Sequence, residues 1–107
     1  MEELAHEPRV SVFGLGKLGS PMAATFAAAG FVTIGCDVNP VFVAALNEGR
    51  APVVEPGLPE MIGRGRPRLR ATVDAREAVL GSDISFVIVP SPSGPDGEFL
   101  YDWVLEA

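Results

Sequence analysis

The chain has 107 residues, of which 48% are hydrophobic and 21% charged. That excludes intrinsic disorder, which goes with low hydrophobicity and high net charge. Eight basic residues against 14 acidic ones give a net charge of −6, so nucleic acid and anionic lipid surfaces are repelled in bulk and neither is expected as a partner. Gly, Pro or charge interrupts every apolar run before the roughly 18 residues a membrane span needs, so no membrane segment is expected.

One Cys and one His leave no internal disulfide and no Cys-based metal site. The opening Met1-Glu2-Glu3 is acidic where a secretory signal would be basic. A cytoplasmic, reducing compartment is the expectation. Residues 1–8, with His6, read as an N-terminal tail and residues 9–107 as a single domain.

In chain order, residues 9–13 are short, β-prone and end at Gly14, which predicts a strand. Leu18, Met22 and Phe26 then recur at i, i+4 and i+8 with Ala23 and Ala27 beside them, predicting a helix whose apolar stripe they form; Gly30 stops it. Residues 31–36 read as a second strand with Asp37 at its end. Asn39 as N-cap and Pro40 as first helical residue open a second helix that runs to Glu48 and stops at Gly49. Pro52, Pro56, Pro59 and Pro67 break residues 50–68, leaving room for a short helix around 58–62.

Residues 69–73 are a short strand candidate. Asp74 caps a further helix, with Glu77 in a capping-box-like position and Gly81 as the stop. Residues 84–89, Ile-Ser-Phe-Val-Ile-Val, form the clearest strand, followed by a Pro/Gly/Ser loop at 90–97 and the start of a helix at 101–107. Strands alternating with helices predict parallel pairing with right-handed crossovers. The expected fold is therefore α/β, a doubly wound parallel sheet of Rossmann type in spatial order 3-2-1-4. It corresponds to the first half of a dinucleotide-binding domain.

Gly14-Leu15-Gly16-Lys17-Leu18-Gly19 is a G-x-G-x-x-G turn. The spacing alone says little, but here it follows a strand, opens a helix and is answered by Asp37, 18 residues beyond Gly19 at the end of the next strand. That context makes it a dinucleotide fingerprint. Gly14 permits the tight turn, a side chain at Gly16 would block a pyrophosphate, and Gly19 lets the helix pack closely. The helix N-terminus offers unpaired N–H groups and a positive dipole end to phosphate. Asp37 is expected to accept hydrogen bonds from the adenosine ribose hydroxyls. A 2′-phosphate would meet its charge with no Arg at residues 38 or 39 to compensate, so NAD is expected over NADP.

Asp37-Val38-Asn39-Pro40, Glu55-Pro56-Gly57-Leu58, Leu69-Arg70-Ala71-Thr72-Val73-Asp74 and Val89-Pro90-Ser91-Pro92 follow the turn in this order. In this the chain resembles the UDP-glucose/GDP-mannose dehydrogenases, over about residues 10–101. The Glu-Pro-Gly-Leu and Pro-Ser-Pro segments are far more specific than the glycines. The resemblance implies a nucleotide-sugar 6-dehydrogenase that oxidises alcohol to carboxylate with two NAD. It further implies polysaccharide biosynthesis and a homo-oligomer when complete. Gly14, Gly16, Lys17, Leu18, Gly19, Asp37 and Ser91 are then the cofactor-binding residues, Ser91 standing where the family usually has Thr.

The sequence departs from the family pattern in two places. The family commonly has Lys or Arg where Phe42 stands, and often Tyr where Lys17 stands; Lys17 is expected to restore part of the missing positive charge. The family's catalytic Cys, Lys and Asn lie further along than these 107 residues reach, so no catalytic residue is assigned. The chain reads as a truncated or separately made piece, inactive alone.

Cys36 reads as a small buried hydrophobe. The alternating Arg64, Arg66, Arg68 and Arg70 read as a solvated approach to an edge strand, where charge discourages edge pairing. Glu55 is expected to fix its loop, and Trp103 with Leu100 and Val104 to form an apolar edge that drives self-association. Two alternatives stay open. A β-hydroxyacid dehydrogenase often carries a similar turn, and a non-enzymatic nucleotide-binding module could assemble with a partner chain.

Overall fold

A computed structural model describes residues 7–88. Ser91, the 90–97 loop, the 101–107 helix, Trp103 and His6 therefore lie outside the described residues. Four strands, β1 (Val10–Phe13), β2 (Thr33–Cys36), β3 (Leu69–Thr72) and β4 (Ile84–Val87), form one sheet in the order β3-β2-β1-β4. All three pairings are parallel. The register sets Phe13, Cys36, Thr72 and Val87 along one edge of the sheet, so Gly14, Asp37, Val73 and Ile88 follow side by side at the strands' carboxyl ends. Ligands bind at this edge in open α/β sheets.

The chain enters and leaves the sheet through α1 (Gly19–Ala28), α2 (Pro40–Asn47), α3 (Leu58–Gly65) and α4 (Ala75–Leu80), with a single 3₁₀ turn at Arg66–Arg68. Val10, Val12, Leu69 and Ala71 pack with Ala23, Ala27, Val43, Leu46, Leu58 and Ile62 on one face. Ile34, Cys36 and Phe13 pack with Ala78 of α4 on the other. The alternation follows from the strand period of two, which sends successive side chains to opposite faces. Ser11 is fully buried on the α4 side. Its hydroxyl bonds Ser85 Oγ at 2.7 Å and receives Ser82 Oγ at 2.9 Å, so a polar side chain is accommodated without an orphaned group.

Both early helices end as their glycines require. Gly30 has φ +112°; its N–H donates to Ala27 O and the Phe31 N–H to Phe26 O, which is a Schellman stop. The accompanying apolar contact is the edge-to-face pair Phe26–Phe31, 6.2 Å between centroids. Gly49 repeats the motif at φ +81°, with its N–H on Leu46 O and the Arg50 N–H on Ala45 O. Asn39 caps α2 by accepting the Val41 N–H at 2.9 Å, with Pro40 in the first turn.

Three local expectations are corrected. Leu18 lies outside the buried stripe of α1 and is 72% exposed. The helix instead buries Gly19, Ser20, Ala23, Ala24 and Ala27, because small residues allow close approach: a Cβ on Gly65 at the end of α3 would lie 2.6 Å from that of Ala27. The helix placed around 58–62 extends to Gly65. The capping box is half made. Asp74 accepts the N–H groups of Arg76 and Glu77, but Glu77 turns instead to Arg70 and Thr72.

Candidate functional site: the glycine turn and Asp37

The three glycines of the turn answer to different constraints. Gly14 has φ +99°, and a Cβ there would lie 2.2 Å from the Ile88 carbonyl oxygen at the end of β4. A Cβ on Gly19 would lie 1.5 Å from the Gly14 carbonyl oxygen. Gly19 is therefore demanded less by helix-to-sheet packing than by the turn closing onto its own first residue. Gly16 has no such neighbour: a Cβ there meets nothing within 4 Å, and its φ is not positive. The fold would tolerate a side chain at Gly16, which leaves open space beside the first turn of α1.

Asp37 reaches the turn. Its Oδ2 accepts the Leu15 N–H at 2.6 Å and its Oδ1 the Asn39 N–H at 2.9 Å. A carboxylate has about four lone-pair sites, so each oxygen keeps one for a further donor. The Asp37 N–H itself donates to Thr72 O at 3.2 Å, which draws the ends of β2 and β3 together. Lys17 and Leu18 are exposed beside Gly16. Phe42 is partly buried and packs on the core.

Cys36, just before Asp37, is buried. Burial first, then the carboxylates of Asp37, Asp74 and Glu77, pushes its thiol above its ordinary value. A group held protonated in this way is a poor nucleophile. Glu77 lies below the usual carboxylate range because Arg70 and Thr72 hydrogen-bond it. Of the four alternating arginines, Arg70 is paired with Glu77 at 2.7 Å and the Arg66 guanidinium lies over Gly49, while Arg64 and Arg68 are exposed. All four are exposed, and Arg70 lies in β3, an edge strand of the sheet.

The Glu55-Pro56-Gly57-Leu58 segment is a type II turn. Pro56 sits at its second position, Gly57 at φ +81° and ψ −8° at its third, and the Leu58 N–H donates to Glu55 O. The loop is thus fixed by the backbone of Glu55 rather than by its side chain. Glu55 lines an open pocket of about 120 Å³ with Pro21 and Thr25 of α1 and Met61 of α3. Among the described residues no three His, Cys, Asp or Glu side chains cluster as a metal site would require.

The NAD-binding domain of the UDP-glucose/GDP-mannose dehydrogenase family matches residues 8–107. The chain belongs to that family. It is 42% identical over 92 residues to a GDP-mannose 6-dehydrogenase of Pseudomonas aeruginosa, covering 84% of this chain and 21% of that protein. It is 43% identical over 89 residues to a UDP-glucose 6-dehydrogenase of Haloferax volcanii, covering 82% and 20%. A crystal structure of a ternary complex of the Pseudomonas aeruginosa GDP-mannose dehydrogenase superposes with a TM-score of 0.80 at 40% identity over 91% of this chain and 23% of that one.

The chain thus spans about a fifth of the length of these relatives. Residues 8–107 fall within that family's NAD-binding domain, and the cofactor is NAD. The site fits that cofactor. Gly16 leaves open space at its Cα, α1 begins three residues on, and Asp37 keeps acceptor capacity beyond its two backbone donors. Leu15, Ser20 and Gly35, none of which carried a role in the sequence reading, also take part in building this turn.

Proposed function

We propose that the chain holds the ADP half of NAD. The amide groups of Gly16, Lys17 and Leu18 at the head of α1 would take the pyrophosphate, and Asp37 the adenosine ribose. Gly14 and Gly19 shape the turn, and Lys17 adds positive charge where Phe42 has removed the family's usual basic residue. Ser91, outside the described residues, would contact the cofactor further toward the nicotinamide. When bound, NAD accepts a hydride; the contribution of these residues is to bind and orient it.

One observation carries the reading. Gly14 and Gly19 are accounted for by backbone contacts within the protein, whereas Gly16 has open space at its Cα and is accounted for by a ligand. The test is Gly16→Val. Its thermal midpoint is expected within about 2 °C of the unsubstituted chain, a change of well under 1 kcal/mol, while NAD binding followed by calorimetry is lost. A variant that binds NAD normally contradicts the reading.

For the whole protein we propose a cytoplasmic nucleotide-sugar 6-dehydrogenase of polysaccharide biosynthesis, assembled as a homo-oligomer, without nucleic-acid or membrane partners. It would oxidise the sugar's C6 alcohol to a carboxylate with two NAD. Support comes from the GDP-mannose and UDP-glucose 6-dehydrogenases among the relatives. The Glu55–Leu58 turn, a family feature that a β-hydroxyacid dehydrogenase lacks, favours the same reading.

A further inference from the structure

Leu15 is held by every part it has. Its side chain is fully buried in room that β2 leaves at Gly35, where a Cβ would lie 2.9 Å from Leu15 Cδ2 and 3.5 Å from Leu46 Cδ1. Its N–H donates to Asp37 Oδ2 at 2.6 Å. Its carbonyl accepts from Ser20 Oγ at 2.6 Å, and Ser20 is a fully buried hydroxyl in the first turn of α1. Two of the three holds come from Gly35 in β2 and from Asp37 just after it, and the third from α1.

We infer that Leu15 is a positioning residue for the cofactor's pyrophosphate, a clamp through which β2 and α1 set the backbone entering Gly16. The inference rests on the NAD reading and goes beyond it, since Leu15 itself need touch no ligand. The amide groups of Gly16, Lys17 and Leu18 find no acceptor among the described residues. A clamp one residue earlier fixes them before the anion arrives, so that less ordering is left for the binding step. Asp37 then serves two functions, bracing the turn through Leu15 and receiving the ribose with its remaining lone pairs. Toward the phosphate, the charge of Asp37 and its brace act in opposite senses. Electrostatics alone makes removal of a nearby carboxylate favourable to a phosphate, whereas loss of the brace weakens the grip on it.

The experiment compares NAD with adenosine, which has the ribose and base but no phosphate. Binding to the 107-residue chain is followed by NMR titration for Leu15→Ala, Leu15→Met and Ser20→Ala, with thermal unfolding of each. The clamp predicts that Leu15→Ala and Ser20→Ala weaken NAD by about tenfold and leave adenosine within about twofold, and that Leu15→Met, which refills the socket, restores NAD. Folded variants that bind NAD unchanged, or lose NAD and adenosine in parallel, overturn it. If Leu15→Ala does not fold, Ser20→Ala decides, because it leaves the socket filled and removes one hydrogen bond. An unsubstituted chain that binds no NAD overturns the NAD reading itself; one that binds NAD while Ser20→Ala binds equally well overturns the clamp alone.

Discussion

At Gly19 the protein's own backbone leaves no room for a methyl group, since the Gly14 carbonyl oxygen sits 1.5 Å from where a Cβ would be. Gly19→Ala is expected to cost about 3 kcal/mol or more, because the obstacle is backbone and neither turn nor helix can step aside; urea unfolding measures it. A midpoint equal to that of the unsubstituted chain would show that the turn is looser than described. Cys36 offers a second test at this scale. Its thiol is raised by burial and by the Asp37, Asp74 and Glu77 carboxylates, so the folded state keeps the proton where the unfolded chain gives it up. Stability should therefore fall as pH rises past the thiol's ordinary value, and alkylation should be slow in the native chain and fast in urea. Equal rates in both states would contradict the burial of Cys36. The fingerprint glycines and Asp37 were legible in the sequence because their spacing is set by backbone geometry. The Asp37–Leu15 bond was not, since nothing in a string of residues says which amide a carboxylate at a strand end will meet.

Among the elements, the outer edge of β3 shows how an exposed strand is closed off. Asn47, the last residue of α2, donates from Nδ2 to Ala71 O at 3.0 Å and accepts the Ala71 N–H at Oδ1 at 2.9 Å, covering one open pair of backbone groups. The arginines around β3 add charge to that edge, but Asn47 is what occupies it. Asn47→Ala should cost about 1–3 kcal/mol by leaving both groups unpaired, read as a shift of the denaturant midpoint at constant slope. No shift would mean that water replaces the amide fully. Asp74→Ala should cost about 1 kcal/mol through loss of the α4 cap. Element order and helix stops were legible because Gly30, Gly49, Asn39-Pro40 and Asp74 act locally. The buried face of α1 was misread at Leu18 because the apolar period marked the large residues, while close packing of α1 on α3 selected the small ones. Glu77 left its capping-box position because Arg70, brought beside it by the fold, and Thr72 together offer a better partner than the Asp74 N–H, which Thr72 Oγ1 already accepts at 3.0 Å.

At the scale of the whole molecule, the parallel order β3-β2-β1-β4 brings the glycine turn after β1 next to Asp37 after β2, and this adjacency is what the sheet contributes to the site. Arg9 and Asp83 lock the opposite end, pairing through side chains at 3.2 Å and through the Asp83 N–H on Arg9 O at 2.7 Å. The only thiol in the 107 residues is Cys36, packed at the end of β2 beside the proposed ribose site. Oxidation from aldehyde to acid through a thiohemiacetal needs a thiolate at the reacting carbon. The chain by itself is therefore expected to carry neither UDP-glucose nor GDP-mannose through to the carboxylate with NAD. Sustained turnover that Cys36→Ser abolishes would contradict this placement. The central claim, that the turn and Asp37 form a site for NAD, is tested most directly by calorimetric titration of the 107-residue chain with NAD and with NADP, repeated on Asp37→Ala. The account predicts that NAD binds about tenfold or more tightly than NADP, in keeping with charge-assisted bonds to one ribose, and that the substitution narrows the ratio while weakening NAD. Equal affinity for NAD and NADP in the unsubstituted chain would contradict it.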